Sequence, residues 1–136
     1  MRVNMNKTNI FANAKLYVWK ETFAIIKSKK TNMQAFANIV DKNEITCIVQ
    51  EKYCNKEYMI AIEPGWKIVT FDMALPFGLV GFLAKISSAL AKEKISIFVI
   101  SSFSTDHILI KQDKLKKALL VLKELGFRIK NGTGRI

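Results

Sequence analysis

The sequence is poor in histidine, cysteine and proline, with one His, two Cys, two Pro and six Gly in 136 residues. A structural zinc site takes about four ligands. Cys47 and Cys54 offer neither a CxxC spacing nor a nearby histidine, so no metal is expected. The scarcity of Pro and Gly excludes collagen-like and linker-like chains. No apolar run approaches the roughly 18 residues a membrane-spanning helix needs. The opening MRVNMNKTNIFANAK lacks the apolar stretch of a secretory signal. A cytoplasmic chain with two free thiols is therefore expected. Acidic residues are also sparse, 11 against 22 Lys+Arg, for a net charge of +11. The excess is spread over both halves without a basic arm or tail, which reads as a solvated surface rather than a nucleic-acid footprint. Half the residues are apolar, enough to close a core in one domain or two very small ones.

The second half is the more regular. Trp66–Phe71 is rich in β-branched and aromatic residues and follows the turn pair Pro64-Gly65, which predicts a strand. Leu79, Leu83, Ile86 and Leu90 form one stripe, which predicts a helix over Gly78–Glu93. Ile95–Ile100 is almost wholly apolar and reads as a strand buried on both faces. Ser101–Thr105 is a polar loop, and Asp106–Lys111 a further strand. Asp113 is suited to cap a second helix with the stripe Leu115, Ala118, Leu119, Leu122 and Leu125. Gly126 is placed just past its end. Phe127–Lys130 alternates as a last strand.

The order β-α-β-β-α-β defines an α+β, ferredoxin-like fold, a four-stranded antiparallel sheet with both helices on one face. In the first half, Lys15–Lys20, Ala35–Val40, Glu44–Gln50 and Tyr58–Glu63 are strand candidates. Thr22–Lys27 fits helix or strand, and Glu51–Glu57 fits a single helical turn. The chain divides on this reading into residues 1–62 and 63–136. No GxSxG, P-loop or HExxH is present, and Gly78-Leu79-Val80-Gly81 is not a GxGxxG fingerprint. No enzyme activity and no cofactor are expected. His107, beside Asp106, reads as a surface or hydrogen-bonded residue.

Leu75-Pro76-Phe77-Gly78-Leu79-Val80-Gly81, Leu90-Ala91, Ile95-Ser96-Ile97-Phe98 and Ile100–Ile110 (ISSFSTDHILI) carry a family pattern. It runs roughly LDFSLTG, LA, ISIF and STF-x-TD-x-ILV. On these residues the chain resembles tandem ACT-domain proteins, the small bacterial and archaeal ones related to the cytosolic arginine sensor. Tyr17-Val18 and Asn43–Thr46 match more faintly. The resemblance implies an ACT domain over residues 63–136 and a reduced ACT-like copy over residues 1–62. It also implies a regulatory, allosteric protein, a homodimer, holding an amino acid at a domain or subunit interface.

Its ligand residues would be Phe77, Gly78, Leu79 and Val80 before the first helix, with Ser102, Phe103, Thr105 and Asp106 in the serine-rich loop. Backbone amides at a helix start suit a carboxylate. Asp106 suits an ammonium, with the hydroxyls of Ser102 and Thr105 beside it. Each residue has a plainer reading: Asp106, Ser102 and Thr105 as loop hydrogen-bonders, Phe77 and Phe103 as core, Gly78 as a packing residue. Pro76, Gly78 and Val80 stand where the pattern has Asp, Ser and Thr, and Ser102 where it has Thr. A ligand-free assembly module is therefore the alternative. A basic RNA-binding module ranks lower, since the two middle strands offer only Phe98 and no RNP1-like motif.

Overall fold

The computed structural model describes residues 11, 14–73 and 81–130. The elements are β1 (Lys15–Val18), β2 (Phe23–Ser28), β3 (Ala37–Val40), β4 (Ile45–Gln50), β5 (Met59–Phe71), α1 (Phe82–Lys92), β6 (Phe98–Ser101), β7 (Asp106–Lys111), α2 (Leu115–Glu124) and β8 (Arg128–Ile129). They group into two compact units, residues 20–67 and residues 1–19 with 68–136. The short segment around β1 thus folds with the later part of the chain, although residues 1–62 read as one unit from the sequence.

In the larger unit the strands run β6-β7-β5-β1-β8. β6 pairs antiparallel with β7, from Phe98 opposite Leu109 to Ser101 opposite Asp106. β1 pairs antiparallel with the end of β5, Leu16 opposite Phe71 and Val18 opposite Val69. β8 pairs in parallel with β1, Leu16 opposite Ile129. The expected four-stranded antiparallel sheet is therefore a mixed one, because β1 lies between β5 and β8. Leu16 is fully buried, which explains why this short strand is held inside the sheet rather than left on its edge.

Both helices pack their apolar stripes on this sheet. α1 buries Phe82, Ile86 and Leu90, four residues apart each time, and α2 buries Ala118 and Leu122. Val69, Phe71, Ile108 and Ile110 meet them from the sheet. Phe11, Phe71, Phe82 and Phe127 form an aromatic knot, with Phe11 stacked on Phe127 at 4.9 Å and Phe71 edge-on to Phe82 at 5.4 Å. Each such large side chain contributes roughly 1.5–3 kcal/mol by burial.

Several local expectations are corrected. α1 begins at Phe82, behind a left-handed Gly81 (φ 91°), rather than at Gly78. Asp113 does not cap α2. It lies in a 3-10 turn, Gln112–Lys114, and Lys114 occupies the cap position with no side-chain bond. The strand expected over Ile95–Ile100 is β6, Phe98–Ser101, with alternate residues exposed, because among the described residues β6 pairs only with β7 and forms the border of the sheet. Gly126 is placed as expected. It adopts φ 111°, and Phe127 N–H reaches back to the Leu122 carbonyl at 3.2 Å, closing α2.

The smaller unit is an antiparallel sheet ordered β3-β4-β2-β5. The ambiguous Thr22–Lys27 resolves as strand, paired with β4 along its whole length, Phe23 opposite Gln50 through Ser28 opposite Ile45. Pro64-Gly65 is not a turn. β5 runs through it, and the register against β2 slips by one residue between Trp66 and Glu63. This bulge is where a strand tolerates proline. Gly65 takes φ 81°, and its N–H donates to Glu51 Oε2 at 2.7 Å. No α-helix occurs between residues 20 and 67. Two 3-10 turns, Glu51–Tyr53 and Lys56–Tyr58, occupy the stretch read as one helical turn.

Candidate functional site

The serine-rich loop joins β6 to β7 in the larger unit. Ser101 opposite Asp106 is the last ladder pair, so the chain must reverse within four residues. Ser102 closes that reversal. Its N–H donates to the Thr105 carbonyl at 2.8 Å, and its hydroxyl reaches the same carbonyl at 3.0 Å and Thr105 Oγ1 at 2.7 Å. Ser101 Oγ donates to Asp106 Oδ1 at 2.6 Å. Ser102, Thr105 and Asp106 are thereby brought together at one hairpin end, with a carboxylate and hydroxyls side by side. Phe103 does not join the core. It is 79% exposed, because it occupies the tip of the reversal rather than a strand position. Phe77, Gly78, Leu79 and Val80 lie outside the described residues.

Beneath the hairpin runs a chain of polar side chains. Trp19 Nε1–H donates to Thr70 Oγ1 at 2.8 Å. Thr70 Oγ1 lies 2.8 Å from His107 Nδ1, and His107 Nε2 lies 3.2 Å from Ser102 Oγ. The indole can only donate, so the Thr70 hydroxyl accepts there, and its own proton is available to His107 Nδ1. In the tautomer that uses this proton, the neutral ring is protonated on Nε2 and donates to Ser102, whose own proton goes on to Thr105. Every step of this chain has one donor and one acceptor.

His107 is 7% exposed. Burial pushes its pKa below the ordinary value of 6.5, and the neighbouring Asp106 carboxylate pulls the other way without reversing it. Of the two sequence readings of His107, the hydrogen-bonded one describes this environment and the surface one is corrected by its burial. Thr70 and Trp19 were missed. The available signal was a threonine inside the apolar strand Ile68–Phe71, a polar group that must find partners when buried.

Chemically the hairpin end can hold a cation on Asp106 and exchange hydrogen bonds through Ser102 and Thr105. Ser102 and His107 stand as a serine–imidazole pair, yet Nδ1 is met by the Thr70 hydroxyl where a hydrolytic triad has a carboxylate. Among the described residues no cluster of three or more His, Cys, Asp or Glu could hold a metal ion, and no helix is long and apolar enough to cross a membrane. The two cysteines are free thiols.

The larger unit's layered helices and sheet define an ACT-like α+β fold, and comparison with known proteins agrees. Residues 61–124 match the ACT domain family. Among solved structures the chain is similar to a protein from Agobacterium tumefaciens, with TM-score 0.75 and 20% identity over 91% of this chain and 98% of that one. It is similar to a Vibrio cholerae protein of unknown function, described as a possible transport protein, with TM-score 0.72 and 16% identity over 91% and 99%. It is also similar to the regulatory subunit of aspartate kinase from Thermus thermophilus, with TM-score 0.58 and 10% identity over 81% and 95%. No curated protein matches the sequence.

Proposed function

We propose that this chain is a non-catalytic regulatory protein that binds an amino acid through the end of the β6–β7 hairpin, at an interface with a neighbouring domain or subunit. The ACT domain over residues 61–124 is the observation that carries this reading. The likeness to an aspartate kinase regulatory subunit supports it in kind. Asp106 receives the ligand ammonium, with Ser102 and Thr105 exchanging hydrogen bonds beside it. Phe77, Gly78, Leu79 and Val80 supply backbone amides for its carboxylate, and Phe103, exposed at the hairpin tip, covers its side chain. In this reading residues 1–62 form a reduced ACT-like copy in the manner of the tandem proteins related to the arginine sensor, and the chain works as a cytoplasmic homodimer.

Ligand binding would bias the packing of two domains through its differential affinity for one arrangement. A thermal-shift screen against the twenty amino acids tests the proposal. A ligand at 100 times its dissociation constant stabilises the folded chain by about 2.7 kcal/mol. One amino acid raising the melting temperature, with the rise abolished in Asp106→Ala, is the expected result. A flat response to all twenty supports the ligand-free assembly reading, and retention of RNA that falls with salt supports the nucleic-acid one.

A further inference from the structure

The smaller unit holds a cavity that the amino-acid reading does not use. It measures about 610 Å³, within the range of small-molecule sites, and all its lining residues fall between Ile26 and Tyr58. The floor is one face of the sheet. Ile26 stands opposite Cys47, and Ala24 opposite Val49, in the β2–β4 ladder, and these four side chains form a small buried apolar cluster. In a complete α/β layer a helix would cover such a face. Here the cover consists of residues 29–36 on one side and the two 3-10 turns on the other.

Both walls are anchored. Ser28 Oγ donates to the Lys30 carbonyl at 2.7 Å and contacts the Tyr58 carbonyl at 3.2 Å, and Cys47 Sγ donates to Asn38 Oδ1 at 3.1 Å. Asn32 and Asn38 clamp each other twice, backbone to amide, at 2.9 and 3.0 Å. Asn32 Nδ2 then ties across to the Tyr53 carbonyl at 3.3 Å, joining one wall to the other.

The charge in the lining has one sign. Lys30, Lys52 and Lys56 border the cavity, and no Asp or Glu does. Lys30 Nζ sits 4.1 Å from the centroid of the Tyr58 ring and Lys52 Nζ 5.0 Å from that of Tyr53, so two of the ammonium groups rest on aromatic faces rather than on carboxylates. Thiol chemistry is disfavoured here. Burial, and then the Glu51 carboxylate, push the Cys54 thiol above its ordinary pKa, away from the reactive thiolate.

We propose that this cavity is a binding site for a small organic anion, with a carboxylate or phosphate head met by Lys30, Lys52 and Lys56 and an apolar body lying on the Ile26–Cys47–Val49 floor. The lining is mainly polar above a small apolar floor, which suits a charged head more than a large apolar ligand, and hydrogen bonds that hold the walls beforehand reduce the ordering cost of binding. The site stands on residues 26–58 alone and does not depend on the amino-acid reading of the hairpin.

Amide chemical-shift mapping of the full chain tests it with four probes: benzoate, phenyl phosphate, inorganic phosphate and the neutral benzamide. Saturable millimolar shifts confined to residues 28–34 and 47–58 are expected with benzoate or phenyl phosphate, and which of the two binds tighter identifies the head group. Benzamide and inorganic phosphate should bind at least about tenfold more weakly, each lacking one half of the recognised chemistry. The double variant Lys30→Ala/Lys56→Ala should weaken the anion at least about tenfold, while Lys116→Ala on α2 should not, and added salt should weaken it in the parent chain. The proposal is overturned if neither aromatic anion gives saturable shifts, if benzamide binds as well as benzoate, or if the shifts follow surface lysines elsewhere.

Discussion

Replacing Thr70 by valine isolates the polar chain beneath the hairpin. Valine keeps the β-branched shape that suits the strand, so the backbone of β5 has no reason to move. What disappears is one hydroxyl serving two buried partners, Trp19 Nε1 and His107 Nδ1, each at 2.8 Å. A neutral hydrogen bond contributes about 1 kcal/mol net, and a buried partner deprived of it costs roughly 1–3 kcal/mol. Two such partners, less a small gain from the added methyl group, give a loss of about 2 kcal/mol. That corresponds to about 6–10 °C in melting temperature for a chain of this size. Thermal and urea unfolding followed by circular dichroism measure it. Thr70→Ser is the control, since it keeps the hydroxyl and loses one methyl group, costing about 1 kcal/mol. If Thr70→Val were as stable as the parent, or Thr70→Ser the more damaging of the two, the hydrogen-bond chain would not be what holds these residues.

Two further outcomes follow from the same structure. Because His107 has its pKa lowered when folded, the folded chain prefers the neutral ring. The unfolded chain takes up a proton first as pH falls through about 6.5. Stability should therefore decline on acidification below that point until the lower folded pKa is passed, and His107→Gln should flatten the slope in urea titrations between pH 7 and 5 (about the window of histidine titration); an unchanged slope would refute the assignment. Gly65→Ala should cost about 1–2 kcal/mol, since φ 81° places a Cβ in the left-handed region. Denaturation equal to the parent would show that the β5 bulge relaxes without cost.

Much of the larger unit was legible because its signals are local. The helical stripe through Ile86 and Leu90, the alternation and apolar weight of the strands, and Gly126 past the end of α2 each follow from spacing or from one residue's backbone freedom. The errors lie where a local signal had a competing tertiary use. Pro64-Gly65 has turn chemistry, yet the same pair serves a bulge when β2 is available to pair on both sides of it. Asp113 has cap chemistry, yet a 3-10 turn carries the chain into α2 with Lys114 at the cap. Phe103 has core chemistry but falls at the tip of a four-residue reversal.

By itself the sequence determined the class of fold and the residues of the hairpin end, because hydrophobic period and turn composition act between near neighbours in the chain. Only the tertiary structure decided that β1 enters the sheet between β5 and β8, that Trp19, Thr70, His107 and Ser102 join in one chain of hydrogen bonds, and that three lysines border one cavity. Trp19 and Thr70 are 51 residues apart in the chain. No periodicity reaches across such a separation. Those contacts arise from closing the core, where every buried donor must find an acceptor wherever the fold supplies one.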